Sequence, residues 1–215
     1  MKKLLLASAV AAVSFSTASF AEIEGLSGNI GYTSDYVFRG IDQAGDASGS
    51  AGVDYANGGF YVGTWAADVD DGLEYDIYFG YGVEMENGLS LSAGATGYYY
   101  TESSFDSSYE EINLGAGFGP ISLEYSVGDQ PDVANSDYDF AAVTVAHSGA
   151  YLTYGTFGKD ADGSYIEVGY AREVSEGFEA SVAIITPDDE LAPIVAGVKA
   201  QDTVLAIGLT YSFDL

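Results

Sequence analysis

The chain has 215 residues, no cysteine, and a formal net charge of −27 from 33 acidic and 6 basic residues. Without cysteine, neither a disulfide framework nor thiol chemistry is available. Nucleic acid is excluded as a partner, because a polyanion binds to clustered lysine and arginine. Cations or cationic solutes are the natural counterparts, although excess acid also keeps proteins soluble in salty habitats.

The first residues have the pattern of a secretory signal peptide. Two lysines follow Met1, an apolar run covers residues 4–13, and Ser19 and Ala21 supply the small residues of a cleavage site. We expect residues 1–21 to be removed, which leaves residues 22–215 as a single domain. No later run approaches the ~18 apolar residues of a membrane helix, so any membrane insertion must use β-structure.

The first three predicted strands cover residues 26–39, 47–56 and 60–69. In the first, apolar residues from Leu26 to Phe38 occupy one face, and Asp35 and Arg39 lie on the other. The second ends at a strong hairpin signal, Asn57 followed by two glycines. Whether that turn has two or three residues decides which face of the third strand carries Trp65.

The clearest strand covers residues 73–85, in which apolar residues alternate with Glu74, Asp76 and Glu84. It exceeds the ~5–6 residues usual for a strand in a globular sheet and suits a tilted membrane strand of ~9–11 residues with extensions. Later predicted strands cover residues 89–99, 112–118, 121–127, 137–147, 151–158, 166–174, 178–184 and 203–215.

These twelve strands predict an all-β fold, a closed antiparallel transmembrane β-barrel. Short turns alternate with longer acidic loops, and the last strand is amphipathic and carries aromatic residues, as in bacterial outer-membrane barrels. Residues 193–201 leave the count open, because they can hold another strand or a loop helix. A soluble β-sandwich or a solvent-filled periplasmic barrel is the alternative.

Three segments resemble those of a known family. Residues 31–41 read GYTSDYVFRGI, residues 59–65 read GFYVGTW, and residues 73–81 read LEYDIYFGY. These segments resemble the TorF-type porin family, mainly over the first half of the chain. The resemblance implies an outer-membrane barrel that passes small solutes, with no defined substrate and no catalytic residue.

The strand faces opposite the apolar ones predict the lining of a lumen. Its candidate residues are Asp35, Arg39, Glu74, Asp76, Glu84, Glu111, Glu124, Asp137, Asp139, Glu167 and Glu179. Carboxylates in such a wall repel anions and concentrate cations. Alternatively they hydrate the interior or pair across it, but the chain has few bases to pair them with. Arg39 is either a contact at a constriction or a structural ion pair near the outer rim.

Catalysis and specific ligands find little support in the sequence. His147 and Ser148 are adjacent, but neighbours on a strand point to opposite faces and this pair lies at a predicted periplasmic turn. Residues 160–164 resemble part of a calcium loop without its later bidentate acid. We therefore expect no enzyme activity, no cofactor and no metal site. Tyrosines near the strand ends are interpreted as girdles at the membrane interface; they include residues 98–100, Tyr109, Tyr138 and Tyr165.

The sequence thus favours an outer-membrane channel for passive diffusion of small hydrophilic solutes, with a preference for cations. The alternative is a narrow barrel, plugged by its own side chains, with a structural or surface-binding role through its acidic loops. The expected partners are outer-membrane lipid, the outer-membrane assembly machinery and small cationic or polar solutes. The oligomeric state stays open.

Overall fold

The computed structural model describes residues 25–101, 108–131, 133–134, 136–191 and 202–215. The predicted signal peptide and the uncertain segment 193–201 lie outside these residues. No helix within the described ranges is long and apolar enough to cross a membrane.

Fourteen strands form in the described residues. They are β1 (Gly25–Thr33), β2 (Val37–Phe38), β3 (Ile41–Asp42), β4 (Ser48–Asn57), β5 (Phe60–Asp68), β6 (Leu73–Glu84), β7 (Leu89–Tyr100), β8 (Tyr109–Phe118), β9 (Ile121–Asp129), β10 (Tyr138–His147), β11 (Ala150–Lys159), β12 (Ser164–Ser175), β13 (Phe178–Pro187) and β14 (Val204–Asp214). Twelve of them make a closed antiparallel barrel, in which β1 pairs with both β14 and β4. The predicted twelve-stranded barrel is confirmed.

The two faces of the barrel wall differ in polarity, as β6 illustrates. Ile77 and Phe79 point outward and are about half exposed, whereas Glu74 and Asp76 are buried. This arrangement of exposed apolar and buried acidic side chains reverses that of a water-soluble domain. It is the pattern of a barrel whose outer surface meets an apolar medium.

The connections at the two ends of the barrel differ in length. One end carries the tight turns, such as the two-residue turn in which Gly58 and Gly59 both have positive φ angles, 57° and 89°. Because Asn57 pairs with Phe60 across this turn, Trp65 faces the interior. The other end carries the longer loops, and we call these the short-turn end and the long-loop end.

The predicted first strand is wrong beyond Thr33, where β1 ends. Ser34 donates its amide to the carbonyl of Ile207 (2.9 Å), and the chain then turns into the barrel. There β2 and β3 form a small antiparallel hairpin, residues 36–43, which we call the interior hairpin. The spacing of Tyr36 from the outward apolar residues of β1 predicts that it faces outward too. It is instead only 3% exposed, because it packs against interior side chains.

The tip of the interior hairpin consists of Arg39 and Gly40, with φ angles of 49° and 82°. Positive φ at both central residues is the geometry of a type I′ hairpin turn. A β-carbon on Gly40 would lie 2.7 Å from both Tyr165 Cβ and Leu191 Cδ2. The tip therefore requires glycine for its backbone conformation and for its close packing.

Gly40→Ala is expected to lower the free energy of unfolding by about 2–3 kcal/mol, because strain at positive φ adds to overpacking. Gly45→Ala is the matched control. Gly45 also has a positive φ (66°), but a β-carbon added there would meet no atom within 4 Å, so a loss of about 1 kcal/mol is expected. Urea unfolding followed by Trp65 fluorescence measures both. Equal losses would contradict the close packing described for Gly40.

Candidate functional site

The guanidinium of Arg39 lies inside the barrel and is held by two strands. Nη1 donates to Glu111 Oε1 (2.5 Å), and Nη2 donates to Glu111 Oε2 (3.1 Å), to Glu124 Oε1 (2.6 Å) and to Ser126 Oγ (3.1 Å). The inward faces of β8 and β9 supply these three acceptors, and Arg39 is only 7% exposed. The forked contact with Glu111 is the strongest form of arginine–carboxylate pair.

Two aromatic rings cover the guanidinium. Arg39 Cζ lies 4.8 Å from the ring centroid of Phe38 and 4.2 Å from that of Phe140. Both distances are within the range of a cation–π interaction, which gains strength when the cation is shielded from water. We call the five residues Phe38, Glu111, Glu124, Ser126 and Phe140 the Arg39 cage.

Glu111 accepts more hydrogen bonds than any other member of the Arg39 cage. Besides Arg39, it accepts hydrogen bonds from Tyr138 Oη (2.8 Å), Asn113 Nδ2 (2.8 Å) and Tyr98 Oη (3.2 Å). A buried ion pair is tolerated only when such additional bonds satisfy the remaining oxygen lone pairs. The inward faces of β7, β8 and β10 therefore supply the hydrogen-bond donors that stabilise Glu111 as an ionised carboxylate.

Two more carboxylates lie on the inner face of β6. Glu74 accepts a hydrogen bond from Tyr36 Oη of the interior hairpin (2.5 Å). Asp76 is 0% exposed, and within the described residues neither of its carboxylate oxygens has a hydrogen-bond partner. An unpaired buried charge is costly, so Asp76 is the least satisfied acidic group of the described interior.

Other predicted lumen residues lie farther from the Arg39 cage. Glu167 faces inward and accepts a hydrogen bond from Tyr151 Oη (2.6 Å). Glu84 and Glu179 lie on the inward phase of β6 and β13, close to the short-turn end. The structure thus distributes inward carboxylates along the length of the barrel.

Three predicted positions do not lie on an inward strand face. Asp35 lies in the loop after β1 and accepts a hydrogen bond from Ser34 Oγ (2.8 Å), and Asp137 is exposed just before β10. Asp139 points outward and accepts a hydrogen bond from the outward-facing Tyr125 (3.0 Å), so its predicted place in the lumen is wrong. Alanines weaken the alternation of β10, and the buried Phe140 sets its phase instead.

Some interior groups were not predicted from the sequence. Asp54 of β4 faces inward and accepts a hydrogen bond from Tyr78 Oη (2.5 Å). Val53 and Tyr55 on either side of it face outward, and this alternation is the sequence pattern that could have predicted the inward position of Asp54. The interpretation of Tyr98 and Tyr138 as girdle residues was wrong, since both are buried inside with their hydroxyls on Glu111. Their position near strand ends suits a girdle and an interior layer equally well.

Residues 188–191, which follow β13, lie at the long-loop end of the interior. Leu191 is buried against Tyr165 and the hairpin tip. Asp188 anchors this loop by accepting hydrogen bonds from the Ser164 hydroxyl (2.6 Å) and amide (2.9 Å). Burial raises the pKa of Asp188, but these bonds, with others from the amides of Glu190 and Leu191, hold the pKa below its usual value.

Small side chains line the interior toward the short-turn end. Ser92, Gly115 and Ser122 of β7, β8 and β9 face inward there and are half-buried, whereas Asn113 and Ser126 beside the Arg39 cage are fully buried. The hairpin and its aromatic neighbours therefore fill the long-loop half, and the short-turn half is less tightly packed.

A closed antiparallel barrel with an apolar exterior and an acidic interior defines a porin-like architecture. More specifically, the chain belongs to the Gcw_chp family of bacterial proteins of unknown function, whose model matches residues 18–192. A comparison with curated proteins finds no match. The predicted membership of the TorF-type family is not confirmed by name, but the closed antiparallel barrel that it implied is present.

A solved structure of low sequence identity shares the fold. A chain from the structure described as "Unveiling the Mechanism Behind the in-meso Crystallization of Membrane Proteins" has a TM-score of 0.60 at 9% identity, over 88% of this chain and 83% of that one. A mutant of Rh. blastica porin has a TM-score of 0.44 at 15% identity, over 77% of this chain. The match covers 55% of the porin chain, so this chain spans about half of its length.

Proposed function

We propose that the protein is an outer-membrane channel for passive diffusion of small hydrophilic solutes, with a preference for cations. The observation that carries the proposal is the charge of the interior. Arg39 is the one buried base in the described ranges, against the inward carboxyl groups Glu74, Asp76, Glu111, Glu124 and Glu167. A wall with this excess of negative charge attracts cations and repels anions.

The exterior supports placement in a lipid bilayer. Large apolar side chains are exposed on every long strand of the barrel, and a closed sheet leaves no unpaired strand edge. Lipid is the medium in which such a surface is stable, because the strands satisfy their backbone hydrogen bonds among themselves. Outer-membrane lipid and the outer-membrane assembly machinery are accordingly the proposed partners.

Passage through the barrel requires the interior hairpin to move. In the described conformation its side chains fill the long-loop half, and Arg39 ties its tip to β8 and β9. The hairpin pairs through only two residue pairs, so its own strands contribute little stability. We propose that the channel opens when the Arg39 contacts break and closes when they form.

The experiment is a conductance measurement on the refolded chain, residues 22–215, in a planar bilayer. Across a potassium chloride gradient, the current is expected to reverse toward the potassium equilibrium potential. Arg39→Ala is expected to raise the open-channel frequency at least tenfold, because the hairpin loses its anchor. Arg172→Ala is the matched control, since Arg172 is exposed near the short-turn end.

A plugged barrel with a structural or surface-binding role is the second candidate. The burial of Arg39 and its two ion pairs favour it, because such contacts hold the hairpin firmly in place. A folded, heat-modifiable barrel that shows no current steps in either the wild type or Arg39→Ala would reject the channel and leave this candidate.

A further inference from the structure

We propose that the Arg39 cage is a binding site for solutes that carry a guanidinium group, and that Arg39 occupies it as an internal competitor. This inference deepens the proposed function by naming a solute class for the same interior. The binding itself is a property of the cage, so it can be tested separately from conductance.

The cage matches the shape of a guanidinium. Glu111 and Glu124 contact Arg39 through its nitrogen edge, and Ser126 adds a third acceptor. The rings of Phe38 and Phe140 lie over the same group, within 4.8 and 4.2 Å of Cζ. A planar cation with several donors fits both features, whereas an ammonium has no plane to stack and no fork to pair with a carboxylate.

Arg39 lies on a small element that can leave the site, and Phe38 leaves with it. The part of the cage that stays on the barrel wall is Glu111, Glu124, Ser126 and Phe140. The interior hairpin contains two residue pairs, Val37 with Asp42 and Phe38 with Ile41. Its tip places Arg39, which is not glycine, at a φ of 49°, a conformation that persists only where surrounding contacts impose it. A free guanidinium solute forms the same contacts with Glu111 and Glu124 without that backbone constraint.

The interior has a carboxyl group near the cage that makes no contact with Arg39. Asp76 is fully buried, and its two oxygens have no hydrogen-bond partner in the described parts of the chain. Asp76 pairs in register with Tyr98, whose hydroxyl donates to Glu111, so one aromatic residue separates it from the cage. A solute rich in hydrogen-bond donors can supply the partners that Asp76 lacks. The described residues contain no grouping of acidic or histidine side chains suited to a metal ion.

The test is chemical rescue of Arg39→Ala with guanidinium chloride at millimolar concentration. The refolded variant is heated in detergent, and the temperature at which its compact form is lost is read from heat-modifiable gel mobility. Guanidinium is expected to raise this temperature by roughly 5 °C, as a ligand that binds only the folded state does. Ammonium chloride at equal concentration is expected to have no comparable effect.

Two further variants locate the effect. The double variant R39A/E111Q lacks the forked carboxylate and is expected to lose the rescue, whereas R39A/E176Q keeps it, because Glu176 lies in an exposed short turn. Equal effects of guanidinium and ammonium, or rescue that survives E111Q, would overturn the proposal. If R39A does not fold under any condition, Arg39→Gln is used in the same comparison. Rescue without any channel current would support the binding site while rejecting the proposed channel.

Discussion

Glu111→Gln is expected to lower the free energy of unfolding by about 3 kcal/mol. The substitution keeps the volume of the side chain but removes the charge that faces Arg39 inside the barrel. Breaking a buried ion pair from one side leaves the other charge without compensation, which costs about 3–5 kcal/mol. Glu124 retains one contact with Arg39, so the lower end of that range applies. Urea unfolding in lipid vesicles, followed by Trp65 fluorescence, measures the change.

Glu124→Gln is the matched control for this prediction. It removes a carboxylate from the same guanidinium, but the side chain of Glu124 is 32% exposed and that of Glu111 is 0% exposed. Partial exposure lets water screen the pair, and a loss of about 1 kcal/mol is expected. Equal losses in the two variants would mean that burial does not govern the strength of the Arg39 contacts.

Asp76→Asn is expected to raise the free energy of unfolding, by about 1–3 kcal/mol. Asp76 is buried with both oxygens unpartnered among the described residues, so the wild type carries the desolvation cost of this group. The amide has nearly the same shape and a smaller desolvation cost. The same variant tests whether Asp76 is ionised in the open channel. Weaker cation preference, measured as the reversal potential across a potassium chloride gradient, would show that the wild-type carboxyl group carries a charge.

Asp54→Asn provides the contrast. Asp54 also faces inward, but it accepts a hydrogen bond from Tyr78, and the amide weakens that bond. A loss of about 1 kcal/mol is therefore expected, opposite in sign to the change at Asp76. Destabilisation by Asp76→Asn would show that Asp76 has a partner in the folded protein. A stability gain with weaker cation preference would mean that Asp76 is retained for function at the expense of stability.

The barrel was predictable because its wall follows a rule with period two. In β6, β8 and β14, outward apolar residues alternate with inward polar or small ones, and the register across each short turn preserves that phase. Glu74, Asp76 and Glu111 were placed on the inward face for this reason. Where the alternation is weak, as around Asp139, the prediction failed.

The interior hairpin was not predictable from the same rule. Tyr36 and Phe38 continue the spacing of Ile30 and Tyr32, so the pattern extends the first strand by six residues. What decides their place is packing against Trp65, Tyr98 and other interior side chains distant in sequence. The pair Arg39 and Gly40 was the local signal, since glycine at the second position favours a turn with positive φ. The Arg39 cage itself combines residues up to 102 positions apart, which no local pattern indicates.

The contacts of Val37 link the beginning of the barrel to its end. Val37 begins β2, four residues after the end of β1, yet it packs in one cluster with Ile185 of β13 and Ala206 of β14. These partners are separated from it by most of the chain, and contacts of such long range form slowly. The strand that closes the wall by pairing with β1 is therefore also the strand that completes the core around the hairpin. Any change that delays the folding of β14 therefore delays both the closure of the barrel between β1 and β14 and the packing around the interior hairpin.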